Sequence, residues 1–262
     1  MSSDSERKYV KLIYHAANKY PNWDPETIVQ AGDWGRIIAG SSGWLPWADR
    51  GGIFVKEGNI YQDGLAERYD IPKPTEYGAE ASNVVTWFVS QNAKVLDVSR
   101  DAAGQEPGLA DCRVTAGYRF PSSGGAVLAM QNDTILAIDP PGRLRELLED
   151  DTMRDCVVVS EVHRCSSYAR YLSSPRTKKI DIGLSEQSAK TTVDAEVQWV
   201  HSTTTGEFKA DVSKDRDFCP LFKLVSLKED DRSIDLRVPK PPSNIMAAFS
   251  LCWDFPFLQS YC

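Results

Sequence analysis

Three histidines and six cysteines carry most of the covalent and metal chemistry open to this 262-residue chain, and their spacing does not assemble it. His163 and Cys165, in the run EVHRC, stand two residues apart. On a strand that puts both side chains on one face ~7 Å apart, off the geometry by which an imidazole activates a thiol. Cys156, His163 and Cys165 supply zinc-ligand types without a fourth ligand or the usual close spacing. His15 and His201 lie far off in sequence. Acidic residues are plentiful, but no spacing singles out a carboxylate pair for acid and base work. Phosphate-loop, dinucleotide-fold, zinc-protease and serine-elbow signatures are absent. The expectation is a non-enzyme with no cofactor and no metal.

The cysteines (Cys112, Cys156, Cys165, Cys219, Cys252, Cys262) are scattered and form no C-x-x-C pair, which predicts reduced, mostly buried thiols in a cytosolic protein. Position 2 is Ser rather than the Gly of a myristoylation signal, and Cys262 is terminal rather than fourth from the end. Reversible palmitoylation of Cys252 or Cys262 stays open.

What the chain does pattern is charge and aromatic surface. At ~100° per residue, Arg7, Lys8, Lys11, His15 and Lys19 fall within one arc of about 120°, with Tyr9, Val10, Leu12, Ile13, Tyr14, Ala16, Ala17 and Tyr20 filling the rest. Ser5 is placed as the N-cap and Pro21 as the stop. Residues 5 to 19 carry +3 on a chain whose total is -7. The arc reads either as a solvated outer face or as an attachment to an anionic membrane surface. Trp44, Leu45, Pro46 and Trp47 form a loop tip, either a lid on the core or an interfacial anchor, because an indole combines an apolar body with one N–H donor. A second basic run holds Arg164, Arg170, Arg176, Lys178 and Lys179 with no acid between Val162 and Ile180. The global acidity argues against a nucleic-acid partner.

The elements that must position these residues are mostly strands. Two short strands flank the aromatic loop within Gly32 to Phe54. Asn59 to Ala81 reads as a connecting loop, with Pro72, Pro74, Gly64 and Gly78. Val84 to Val89, Lys94 to Ser99 and Cys112 to Phe120 read as strands. Val127 to Met130 and Ile135 to Ile138 flank Asn132-Asp133, a hairpin signal. A second helix begins at Pro140-Pro141 with Leu144, Leu147 and Leu148 on one face, ahead of a buried strand over Val157 to Val162. Thr191 to His201 alternates Val193, Ala195, Val197 and Trp199 against Asp194, Glu196 and Gln198. Phe208, Ala210 and Val212 alternate in the same way. Strands of that length suit a half-buried sheet or a tilted bilayer crossing of ~9 to 11 residues. Phe222 to Leu227 and Ile234 to Val238 complete the strands, and Ile245 to Phe257 reads as a short docking helix.

The remaining bounds are compositional. With 42% hydrophobic and 26% charged residues, the chain is long enough for a full core, and no apolar run approaches the ~20 residues of a membrane-spanning helix. The start lacks the uninterrupted apolar region of a secretory signal. No internal repeat is present.

The order of these features resembles the pore-forming N-terminal domain of the gasdermins, and most of all the short fungal gasdermin-like regulators of cell death. The resemblance lies in a basic first helix, a hydrophobic loop between the first strands (GWLPW), and a leucine-rich helix running into a valine strand (LRELLEDDTMRDCVVVSEVHR). It implies an α+β fold, a twisted mixed or antiparallel sheet with flanking helices, whose extensions become membrane-inserted hairpins of an oligomeric β-barrel pore. It implies that Arg7, Lys8, Lys11 and Lys19 hold acidic phospholipid and that Trp44, Leu45 and Trp47 dip into the leaflet. Val114, Ala116, Tyr118, Val193, Ala195, Val197 and Trp199 would face lipid in the hairpins, drawn from Val84 to Phe120 and from Val162 to about His201. Arg164, Arg170, Arg176, Lys178 and Lys179 would form a basic finger. Whether Glu207 to Ser213 joins the second hairpin stays open. The same resemblance implies one domain over residues 1–262 without a C-terminal repressor, self-assembly or assembly with a divergent allelic partner, and movement from cytoplasm to plasma membrane in an allorecognition-type death response.

Overall fold

The computed structural model describes residues 4–38, 52–78, 84–96, 109, 112–174, 177, 179–187, 196–202, 205–230 and 233–237. The chain opens with helix α1 (Asp4–Ala17), then β1 (Tyr20–Pro21), β2 (Asp33–Ile38) and β3 (Ile53–Asn59). The predicted connecting loop carries a helical turn, α2 (Leu65–Arg68), and a short strand, β4 (Thr75–Tyr77). Next come β5 (Val85–Val89), β6 (Lys94–Leu96), β7 (Cys112–Arg119), β8 (Ala126–Gln131) and β9 (Thr134–Ala137). The predicted second helix is shorter than its pattern: a 3-10 turn at Pro141–Arg143 leads into α3 (Leu144–Glu149), which buries Leu144, Leu147 and Leu148. Strands β10 (Val157–Cys165), β11 (Ser167–Leu172), β12 (Lys179–Gln187), β13 (Glu196–His201), β14 (Glu207–Val212), β15 (Phe218–Asp230) and β16 (Ser233–Arg237) follow.

The strands form three sheets, and every described pairing is antiparallel. A platform sheet runs β1-β15-β10-β2-β3, with β16 beside β15, and β9 joining β10 to β4. Its core packs Leu144, Leu147, Val157, Val158, Phe222 and Leu224 together with Val10 and Tyr14 of α1. An inner sheet has the order β14-β11-β8-β5, and an outer sheet the order β13-β12-β7-β6.

These last two orders match strand for strand. Each inner strand is followed or preceded in the chain by the outer strand at the same place: β5 by β6, β8 by β7, β11 by β12, β14 by β13. The two sheets are therefore one four-stranded sheet folded over at a corner. Its inner faces meet in a shared cluster of Val127, Ala129, Ala169 and Tyr171 against Tyr118, Ile180, Ile182, Leu184 and Trp199. The opposite face of the inner sheet, with Leu128, Met130, Tyr168 and Leu172, packs on Tyr9 and Ile13 of α1. Consecutive side chains of β8 thus enter different cores, which is why all six of its residues are buried.

Hydroxyls stitch the corner. Ser90 Oγ accepts from the Ala126 N–H at 3.1 Å and Ser173 Oγ from the Gly125 N–H at 2.6 Å, while the Thr177 and Thr205 hydroxyls pair at 2.7 Å. Two corner positions require glycine. Gly206 has φ +96, and a Cβ there would lie 2.6 Å from the Tyr171 hydroxyl; at Gly125 it would lie 2.2 Å from the Phe120 ring.

Two local expectations are corrected. The Asn132-Asp133 pair does not close a hairpin: β8 pairs with β11 while β9 pairs with β10. Residues 126–137 run along 161–172 as one ribbon, bent where Asn132 takes φ 55 and donates to Ser166 Oγ at 3.0 Å. Helix α1 begins at Asp4, so Ser5 is not its cap but donates to Glu207. It ends at Ala17 because Asn18 turns left-handed (φ 53) and its N–H returns to the Tyr14 carbonyl at 2.7 Å, leaving Pro21 to pair in β1.

Candidate membrane-facing site

Helix α1 lies across the seam between the platform and inner sheets. Tyr9 and Ile13 reach one core, Val10 and Tyr14 the other. Its amphipathic pattern therefore buries two stripes, and the basic residues lie between and outside them. The Arg7 guanidinium donates to the carbonyl of Ile38 at 3.1 Å, at the root of the loop that leads to Trp44. Ile38 and Val55 at that root are exposed. Lys8 Nζ sits so near the corner that a Cβ on Gly124 would come within 2.9 Å of it. At the other end, Gln91, also at the corner, donates to the His15 carbonyl at 2.8 Å. The basic helix thus touches the aromatic loop's root and spans the fold-over. Trp44, Leu45 and Trp47 themselves fall outside the described residues.

Lys19 departs from the predicted arc. The helix has ended before it, and its ammonium turns inward to Glu161 and His163. His163, buried, also holds Asp133, whose two oxygens lie 3.0 Å from Nδ1, and its Nε2 lies 3.1 Å from Glu161. The hydrogen bond from His163, reinforced by Lys19, holds the Glu161 carboxyl down at about 2 against the effect of burial. Burial pushes the His163 imidazole down, but the Asp133 and Glu161 carboxylates outweigh it and raise its pKa above the ordinary value. The network ties the end of α1 to β10 and to the bend before β9. No signal in the sequence joined these four residues, because they come from three separated segments.

The second basic run is divided among all three sheets. Arg164 lies on β10 in the platform sheet, beside the cleft described below. Arg170, predicted as part of a finger, lies on β11 under α1: it is 7% exposed and its guanidinium stacks 3.6 Å from the centre of the Trp23 ring. A cation is held there by the ring face, which replaces part of its lost hydration. Lys179 on β12 is exposed and faces Asp181 at 3.5 Å. Arg176 and Lys178 fall outside the described residues. The three described members, close in sequence, lie on three different sheets.

The predicted lipid-facing set is brought together where it is described. In the register of β7 with β12, Val114 stands opposite Leu184, Ala116 opposite Ile182 and Tyr118 opposite Ile180. Trp199 of β13 stands opposite Leu184 on the far side, and its indole donates to Ser167 Oγ of the inner sheet at 3.1 Å. Val197 occupies the register position opposite Glu186, and Val193 and Ala195 fall outside the described residues. Ala116, Tyr118 and Trp199 belong to the apolar face of the outer sheet, and here that face is covered by the inner sheet. Glu207–Val212, left open by the sequence, is β14, paired with β11 in the inner sheet.

No family model matches the chain, and no curated protein matches it. Among solved structures it is similar to a bacterial gasdermin from Bradyrhizobium tropiciagri, at 13% identity over 86% of this chain and 88% of that one, with a TM-score of 0.33. A likeness this loose carries no functional weight.

The nucleophile and metal readings fare poorly on geometry. Burial drives the Cys165 thiol well above its ordinary range, away from a thiolate, and Cys112, Cys156 and Cys219 are also free thiols. His163 is occupied by carboxylates and Lys19. Among the described residues, no group of His, Cys, Asp and Glu is arranged to hold a metal, and no helix is long and apolar enough to cross a membrane.

Proposed function

We propose that this chain permeabilises membranes, by attaching α1 to an acidic lipid surface and unfolding the corner so that the outer sheet exchanges the inner sheet for hydrocarbon. The observation that carries this reading is the matched strand order of the inner and outer sheets. One apolar face, with Val114, Ala116, Tyr118, Ile180, Ile182, Leu184 and Trp199, has its cover supplied by the same four strands after they turn back. Opening the corner needs no change of pairing partner. It yields four continuous strands, β5 to β6, β7 to β8, β11 to β12 and β13 to β14, each with a one-sided outer half. Antiparallel strands cross a bilayer only as a closed barrel, so several copies must assemble.

Arg7, Lys8 and Lys11 are the lipid-facing cations in this reading, and Lys19 enters only if its network with Glu161 and His163 opens. Trp44, Leu45 and Trp47, carried by the sequence, would anchor the loop whose root Arg7 touches. Death of the cell and activation by a divergent allelic partner are carried by the sequence resemblance alone. Dye-filled vesicles test the proposal. Leakage is expected with acidic phospholipid and not with neutral lipid, steepening with protein concentration, and it should rise further when a divergent allelic chain is added if such a partner activates. Equal behaviour on both vesicle types, or no leakage at any concentration, leaves a binding or scaffold protein of the same fold as the better reading.

A further inference from the structure

On the platform sheet, away from the corner, Ile28, Val29 and Ala31 of the segment before β2, Tyr61, Pro74, Leu136 of β9 and Val162 of β10 enclose a cleft of about 380 Å³. That volume lies in the range of small-molecule sites and is too small for a two-chain lipid. The lining is apolar apart from Gln30, Asn59, Gln62 and Arg164. Val162 and Arg164, two apart on β10, open to the cleft, while Glu161 and His163 turn to the other face and are engaged with Lys19 and Asp133.

Arg164 has no carboxylate partner among the described residues. Its neighbour is the Cys219 thiol, which burial pushes up and which Arg164 draws part of the way back. Asp33, which acts on the same Cys219 thiol, is committed elsewhere: fully buried, it accepts from Asn59 Nδ2 at 2.7 Å and from the Gln30 N–H at 2.9 Å, and pairs with Lys56 at 2.8 Å. An arginine beside an apolar cleft, with Asp33 already satisfied, lacks a counter-charge among the described residues. The geometry points to a binding site for a small amphiphilic carboxylate, whose acid head meets Arg164 and whose alkyl or aryl body lies against Tyr61, Leu136 and Val162. The oxygens of a carboxylate match the donor fork of a guanidinium, which is the source of the selectivity.

This site does not depend on the membrane reading, and its test contains no vesicles. Decanoate, below its micelle-forming concentration, is titrated into the full chain by calorimetry, with decanol as the uncharged control. Saturable one-to-one binding of decanoate is expected, with decanol at least about tenfold weaker, the factor that a charge-assisted hydrogen bond supplies. Arg164→Leu should remove the preference for the acid while keeping the weak alcohol binding, and Leu136→Trp should abolish both by filling the cleft. Melting curves establish that each variant folds. Equal affinity of the wild-type chain for acid and alcohol overturns the assignment without recourse to a variant, as does absence of saturable binding or unchanged decanoate affinity in folded Arg164→Leu.

Discussion

The platform sheet and the folded-over pair of sheets each enclose a hydrophobic core and differ in what closes it. The platform core is closed by α1 and α3 and fastened by a buried polar network, so that opening it strands Glu161, His163 and Asp133 without partners. The fold-over is closed by its own continuation. Trp199 and the corner hydroxyls make polar links between its layers, and the hydroxyls can exchange theirs for water at the corner. The difference teaches where a conformational change costs least: a region whose cover is its own chain can open without exposing a buried charge, and a charge left unpaired in a core is the larger penalty.

The contrast breaks first under core truncation. Leu224→Ala in the platform and Ile182→Ala in the outer sheet, both fully buried, should each cost about 2–5 kcal/mol. The expected distinction is in hydrogen exchange. Leu224→Ala should speed exchange throughout, whereas Ile182→Ala should speed it in β7 and β12 and leave β10 and β15 protected. Uniform acceleration in both variants would make the two regions a single cooperative unit.

A smaller effect is expected at the corner. Gly125→Val forces a side chain onto the Phe120 ring and should destabilise by about 1–3 kcal/mol, read as a lowered Tm. If the corner is the hinge, leakage from acidic vesicles should become faster at the same time. Lys19→Met removes the ammonium from the platform network and should likewise cost about 1–3 kcal/mol, with leakage unaffected unless the network also gates opening.

The network also sets a pH dependence in the acid-to-neutral range. His163, raised in the folded state, contributes its stability fully below its ordinary value of 6.5 and loses it as pH rises through the higher folded value. Glu161, lowered to about 2, contributes fully above its ordinary 4.5 and loses it as pH falls toward 2. The contribution of the network to Tm should therefore peak between pH 4.5 and 6.5, and His163→Gln should flatten the fall on the alkaline side. The smallest effects belong to the surface. Lys8→Gln and Lys11→Gln should each weaken vesicle binding by ~1 kcal/mol and leave Tm unchanged, checked by sedimentation with acidic vesicles at low salt.

The sequence makes the platform legible and the fold-over only half so. The apolar run Val157 to Val162 and the leucines of α3 announce a core because their pattern is local. Strand β11 lacks a clear signature because Arg170 interrupts its alternation, and what makes that arginine a core residue is Trp23, distant in sequence. Asn132-Asp133 carries hairpin residues yet makes a bend, since the partner of each flanking strand is decided by β10 and β11 rather than by the turn. The apolar positions of β7 and β13 were readable as one face; that the inner sheet covers this face follows from the order of eight strands, which no local pattern encodes. The Lys19, Asp133, Glu161 and His163 network was invisible for the same reason.

The most direct measurement follows Trp199, which touches the inner sheet in this structure and would touch acyl chains in an opened one. Tryptophan fluorescence is recorded on acidic vesicles with and without lipids brominated along the chain, for the wild-type protein and for folded Trp199→Phe. The account predicts strong quenching of the wild-type protein on acidic vesicles alone and a clear loss of the quenched fraction in Trp199→Phe. A quenched fraction identical in the two proteins, under conditions where the wild type leaks vesicles, would place Trp199 outside the bilayer and contradict the opening of the outer sheet.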